Sequence, residues 1–135
     1  MVNSRKIADL NPLVQDLCNK HVKACEVHGI DLLITSTYRD KESQDALYAQ
    51  RPKVTNSRGG QSFHNYRVAY DVVPIQNGKC LWNDDVLWHK VGAIGKELGL
   101  TWGGDFKSIK DFPHFQYTGG LTLKDLQKDE SNSLA

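Results

Sequence analysis

Asp71 lies inside an apolar, β-prone run, Val68-Ala69-Tyr70-Asp71-Val72-Val73, which Pro74 closes, and His64 stands seven positions upstream. A bare carboxylate in such a strand costs several kcal/mol to desolvate unless something charged meets it. Strand alternation puts Val68, Tyr70 and Val72 on one face and Ala69, Asp71 and Val73 on the other. His64, on the approach to the strand, could fold back to the side that Asp71 occupies, and a divalent cation between them would account for both residues. The DFPHFQ stretch (111–116) has the same character. His114 opens a strand on which Phe115 and Tyr117 would face the core, while His114 and Gln116 would face a polar site. Asp111 precedes His114 by three residues, with Pro113 fixing the backbone direction between them.

Two histidines, one aspartate and an open water position make a catalytic zinc site rather than a closed structural one. Such a metal makes water acidic near neutrality and polarises a carbonyl. A nearby carboxylate that is not a ligand can take the water's proton and pass it to a leaving amine, and Asp111 fits that role. Taken alone, each piece carries little. An isolated His-x6-Asp pair is usually accidental, and an isolated Asp111 would usually be a turn or helix-end residue.

The elements that must position these groups can be read along the chain. Asn11-Pro12 starts a first helix, with Asn as cap and Pro at the first helical position; Leu13, Leu17, Val22 and Cys25 follow at helical spacing, and Gly29 stops it. DLLITST (31–37) is a strand, and KESQDALYAQ (41–50) is a second helix ended by Pro52. Residues 53–62 form a polar loop ahead of the strand holding Asp71, and Asn77-Gly78 marks a turn after it. A third helix begins near Asn83-Asp84 and carries Leu87, Val91, Ile94 and Leu98 on one face. Short strands are predicted around 100–102 and 114–117. Helices and strands mix without a βαβ rhythm, so the fold class is α+β, a single small domain with a mostly antiparallel sheet packed by helices and the zinc site on the sheet. The catalytic domain is expected over residues 1–125, with 126–135 a disordered tail.

Bulk properties bound the function. The chain has 135 residues, 24% charged and 39% hydrophobic, with a formal net charge of +1. That balance offers no nucleic-acid or membrane surface. No apolar run reaches transmembrane length, and MVNSRKIADLNPLV lacks the apolar region of a signal peptide, so a cytoplasmic start is expected. Cys18, Cys25 and Cys80 are too few and too scattered for a disulfide framework or a thiolate metal site, and Cys18 and Cys25 are expected as core residues.

Gln61-Ser62-Phe63-His64 through Ala69-Tyr70-Asp71 resembles the SxHxxGxAxD signature of zinc peptidases in the lysostaphin, D-Ala-D-Ala metallopeptidase and hedgehog superfamily. DFPHF resembles their second signature, an acidic residue three before the last histidine ligand. STYRD (36–40) resembles the SxYR segment whose arginine faces substrate. WGGDFKSIKDFPHFQ (102–116) is similar to the L-alanyl-D-glutamate endopeptidase branch, which contains phage endolysins and bacterial cell-wall peptidases. The likeness runs from about Leu10 to Tyr117. It implies zinc held by His64, Asp71 and His114, Asp111 as general base, Arg39 as the cation that steadies the oxyanion, and Ser62 as a substrate-binding residue. A serine before a turn is also a common local hydrogen-bonder.

The implied function is zinc-dependent hydrolysis of the peptidoglycan stem peptide, between L-Ala and D-Glu, by a monomer that binds neither nucleic acid nor membrane. The missing signal peptide fits a bacteriolytic endolysin that waits in the host cytoplasm before release to the wall. A D-Ala-D-Ala carboxypeptidase or dipeptidase is the alternative within the chemistry. A non-catalytic zinc-stabilised binding module is the alternative outside it, against which Asp111 and Arg39 count. Arg67 departs from the family, standing where HxxGxAxD has glycine. It is read as a solvent-facing turn residue with φ > 0, with a substrate-carboxylate role as the other reading. His21, His28 and His89 are expected on partly exposed helix faces, Asp105 in a turn or behind a ligand histidine, and Trp82, Trp88 and Trp102 in the core or groove wall.

Overall fold

In a computed structural model, residues 1–128 are described. The chain builds one five-stranded sheet, covered by helices, in which every pairing is antiparallel. Helix α1 (Pro12–Val27) is capped by the Asn11 side chain, which accepts from Leu13 N, and has Pro at its start. Strand β1 (Asp31–Ser36) and helix α2 (Lys41–Tyr48) follow. After the long polar loop come β2 (Ala69–Gln76), β3 (Lys79–Cys80), α3 (Asp85–Glu97), β4 (Thr101–Trp102), β5 (His114–Gln116) and α4 (Leu123–Lys128).

Strand β2 is central, with β1 on one side and β5 on the other, and β4 pairs with β5 at the far edge. The strand runs two residues past Pro74, where the sequence suggested an end. Proline forfeits only a donor; its carbonyl still accepts from Leu81 N at 2.8 Å. Asn77 and Gly78 both have positive φ, the geometry that turns β2 directly into β3.

Leucine, valine and aromatic side chains close the core between sheet and helices. Trp88, Tyr70, Phe115, Val72 and Val91 are essentially fully buried, and Cys18 and Cys25 pack among them as expected. His21 corrects the sequence reading. It is completely buried on α1, its Nε2 donating to Val91 O at 3.0 Å and its Nδ1 accepting from the Tyr70 hydroxyl at 2.7 Å. A helix face can hide a histidine when both ring nitrogens find partners. Trp82 is also corrected: it is half exposed, while Trp88 and Trp102 are buried. Helix α4 passes the expected boundary at 125 and buries Leu126, and the rest of the expected tail, 129–135, lies outside the described residues.

Candidate metal centre and active site

The residues singled out in the sequence meet where β2 and β5 pair, in register Asp71 to His114. On the other side of β2, β1 carries a bulge between Ile34 and Ser36 that brings Ser36 opposite Asp71. Such a bulge re-aims the chain, and here it directs residues 36–39 toward the site. An N-terminal strap holds that segment from behind, with Thr37 N donating to Ser4 O at 2.7 Å and Ser4 N to Tyr38 O at 2.8 Å.

His64 comes from a single 3-10 turn, Phe63–Tyr66. Ser62 caps this turn by accepting from His64 N at 3.3 Å, and Asn65 accepts back from Ser62 N at 3.1 Å. Ser62 therefore has the local hydrogen-bonding role, while also lining the cleft. The turn is tied to the Arg39 segment, since Asn65 Nδ2 donates to Arg39 O and Arg39 N donates to His64 O. Arg67 ends the turn in the left-handed region, at φ 65°. Its side chain lies 3.9 Å over the Tyr38 ring and donates to Asp9 O at 2.7 Å, so it does not line the cleft.

His64 Nε2 lies 3.1 Å and His114 Nδ1 3.4 Å from the same oxygen of Asp71. Among the described residues, one ligand atom from each of these three side chains lies within 4.8 Å of the others, a spacing that could hold a metal ion. The far nitrogens are already engaged. His64 Nδ1 donates to Thr37 O at 2.9 Å, and His114 Nε2 meets Gln116 Oε1 at 2.7 Å. Outer hydrogen bonds of this kind fix the tautomer and ring orientation of metal-binding histidines. Two nitrogens and a carboxylate oxygen, held by such partners, fit zinc.

Burial alone would raise the Asp71 pKa, but the two imidazoles overcome it and hold the carboxyl well below the usual range. Burial disfavours a charged His114 as well, yet Asp71, Asp111 and Gln116 together push its pKa up. The Asp111 carboxyl is raised, first by burial and then by the negative charge of Asp71, against the pull of His114, His64 and Arg39. A carboxylate shifted toward neutrality is a better proton acceptor. Its backbone is fixed by Asp111 N donating to Gly103 O at 2.9 Å. A side chain on Gly103 would drive its Cβ to 2.2 Å from Asp111 O, which explains one glycine of WGGD. The second, Gly104, lies flat against the Trp102 ring, whose Nε1 donates to Phe112 O at 2.8 Å.

Arg39 extends into the same cleft with NH1 donating to Gln44 Oε1 at 2.9 Å and NH2 to Ser36 Oγ at 3.0 Å. Its pKa is lowered by burial, with Asp71 and Asp111 opposing. The cleft measures about 470 Å³ and is lined by all six predicted site residues, His64, Asp71, His114, Asp111, Arg39 and Ser62. Asp105 is not among them. It pairs with Lys96 of α3 at 3.0 Å in the open, so it stands behind no ligand histidine. Sequence reasoning missed Gln44, Asn65 and Thr37. A polar residue on the buried side of α2 was the available signal for Gln44; Thr37 acts through its carbonyl, which sequence does not display.

The family model described as D-alanyl-D-alanine carboxypeptidase matches residues 55–117. The chain is 38% identical over 123 residues to the peptidoglycan L-alanyl-D-glutamate endopeptidase CwlK of Bacillus subtilis (strain 168), spanning 81% of this chain and 74% of that protein. It is 31% identical over 122 residues to the L-alanyl-D-glutamate peptidase of Listeria phage A118, spanning 84% of this chain but only 41% of that relative. The crystal structure of the Serratia marcescens L-Ala D-Glu endopeptidase ChiX superposes with a TM-score of 0.69 at 22% identity, covering 90% of this chain and 86% of ChiX. That likeness concerns the fold.

Proposed function

The chain belongs to the metallopeptidase family described as D-alanyl-D-alanine carboxypeptidase, and from that premise we propose that it is a zinc-dependent endopeptidase cutting the L-Ala–D-Glu bond of the peptidoglycan stem peptide. The observation that carries the chemistry is the meeting of three ligand atoms within 4.8 Å in a cleft that also holds Asp111 and Arg39. The bond follows the names of the relatives, both of which are L-alanyl-D-glutamate peptidases.

His64, Asp71 and His114 would hold the metal. When bound, zinc supplies Lewis-acid polarisation of the scissile carbonyl and a water acidic enough to attack near neutral pH. Asp111 takes the proton of that water and returns it to the nitrogen of the leaving amine, so the amine departs neutral. Arg39, held by Gln44 and Ser36, presents fixed positive charge to the oxyanion that develops on the carbonyl oxygen. The Ser62 hydroxyl oxygen accepts from His64 N and so steadies the turn, while its proton can be donated to the substrate chain. We assign the protein to cell-wall lysis, a reading that the phage source of one relative supports, and take it to act as a monomer; among the described residues no helix is long and apolar enough to cross a membrane.

The test is mass spectrometry of products from purified sacculi. Stem peptides with a new N-terminal D-Glu, and no free D-Ala, are expected. Free D-Ala or D-Ala-D-Ala as the main product would place the protein with the carboxypeptidases that name the family model. An absence of any cleavage by zinc-loaded protein would leave only a binding module.

A further inference from the structure

Beside the metal cleft opens a second recess of about 480 Å³, and the two share Val54, Thr55, Phe106 and Asp111 as a common wall. The recess carries two cations, Lys53 and Lys110, against a single carboxylate, that of Asp111. The lysines come from two separate segments, one on the loop after α2 and one on the segment leading to β5. Lys110 Nζ donates to Gly104 O at 3.2 Å, which aims the ammonium and leaves two of its protons free. Lys53 Nζ rests 5.4 Å over the Tyr48 ring. Neither takes part in an ion pair among the described residues, in contrast to Lys96, which neutralises Asp105, and Lys20, which neutralises Asp16.

We propose that Lys53 and Lys110 form an anion subsite for the free carboxylate of the residue on the leaving-group side of the scissile bond. This rests on the stem-peptide cleavage proposed above. The leaving nitrogen must come to Asp111 to receive its proton, so its own residue lies on the Asp111 side of the cleft, where the recess opens. D-Glutamate has two carboxyls; one carries the peptide onward and the other remains an anion close to the scissile nitrogen. Asp111, which lines the same recess, would repel that anion unless nearby cations offset it. The guanidinium that lines the cleft, Arg39, is held by Gln44 and Ser36 for the oxyanion, and Arg67 is pinned to Asp9 and Tyr38. The lysine pair therefore selects a carboxylate over an amide at this position.

The experiment compares two synthetic stem peptides, one with D-glutamate and a twin in which its free carboxylate is a carboxamide, on zinc-loaded protein. Wild type is expected to prefer the carboxylate peptide. In the Lys53→Gln/Lys110→Gln double variant, kcat/KM on that peptide should fall by about tenfold, the scale of a charge-assisted contact, mainly through KM. The carboxamide twin should be cut as before, with zinc content unchanged. Equal losses on both peptides, or none on either, overturn the subsite while leaving the peptidase reading intact. Wild type that cuts neither peptide between L-Ala and the following residue overturns both. Should the double variant fail to fold, salt dependence of the wild type decides. KM for the carboxylate peptide must rise more steeply with ionic strength than KM for its twin, and parallel curves overturn the proposal.

Discussion

His64 turns its Nδ1–H onto the backbone carbonyl of Thr37 at 2.9 Å, and that hydrogen bond decides which ring nitrogen faces Asp71. A carbonyl can only accept, so Nδ1 carries the proton and Nε2 keeps a lone pair for a metal. The carbonyl is itself fixed, since Thr37 N donates to Ser4 O and the Thr37 hydroxyl to Lys6 O. The N-terminal strap thus reaches the candidate metal centre through the His64 side chain.

Metal stoichiometry follows directly. Chelator-treated protein reconstituted with zinc should bind about one ion per chain, as a three-ligand site allows. His114→Ala should lose most of that binding, because it removes one of the three nearby ligand atoms. Wild-type zinc content in His114→Ala, measured by elemental analysis after buffer exchange, would show that the ligand set is wrong.

Asp111 is expected to behave differently. Its side chain is outside the ligand group, so Asp111→Ala should retain zinc while turnover drops by roughly 10²–10⁴-fold, the usual scale of general acid–base catalysis. Asp111→Asn keeps the shape and removes the base, and should be equally slow. Loss of zinc in Asp111→Ala would make it a ligand. Near-normal turnover in Asp111→Asn would reject the base.

The buried His21 predicts a pH dependence of stability. Its folded pKa is lowered from 6.5, first by burial, with the hydrogen bond to Val91 opposing. The unfolded chain therefore binds the proton more readily than the folded one. The contribution of neutral His21 is fully present above the unfolded pKa and is lost as pH falls through 6.5 toward the folded value. Melting temperatures measured from about pH 7.5 to about pH 5 should decline less steeply in His21→Gln than in wild type. Parallel curves for the two proteins would assign the acid sensitivity elsewhere.

How far the sequence went depends on the range of each interaction. The gathering of His64, Asp71, His114 and Asp111 was legible because each lies in a short motif: strand register sets Asp71 opposite His114, while His64 and Asp111 stand on the short segments that lead into those strands. Helix starts were legible for the same reason, since Asn11, Asp40 and Asp84 cap through neighbours two or three residues away. His21 was misread because its partners, Tyr70 and Val91, lie 49 and 70 residues on. Asp105 sits in a turn, one of the two places expected of it, and its pairing with Lys96 of α3 removes the other, behind a ligand histidine. The clasp of Arg39 by Gln44 and Ser36 depends on a β-bulge that no local pattern announces.

Arg67 is the residue for which the structure changes the expected outcome. In the left-handed region a non-glycine residue costs on the order of 1 kcal/mol, so relief of strain alone would make Arg67→Gly more stable. Two contacts oppose this. The guanidinium stacks 3.9 Å over Tyr38, worth about 0.5–1 kcal/mol at an exposed site. Its hydrogen bond to Asp9 O adds about 0.5–1.5 kcal/mol and ties the segment before α1 to the turn that carries His64. Glycine also loosens the unfolded chain, which adds to the loss. Arg67→Gly should therefore retain zinc and KM while its Tm falls by roughly 2–6 °C. Arg67→Lys, which keeps the strain and weakens the stacking, should fall as well. An equal or higher Tm in Arg67→Gly would mean that backbone strain outweighs the Tyr38 and Asp9 contacts. A rise in KM of about tenfold or more at unchanged zinc content would instead make Arg67 a substrate ligand.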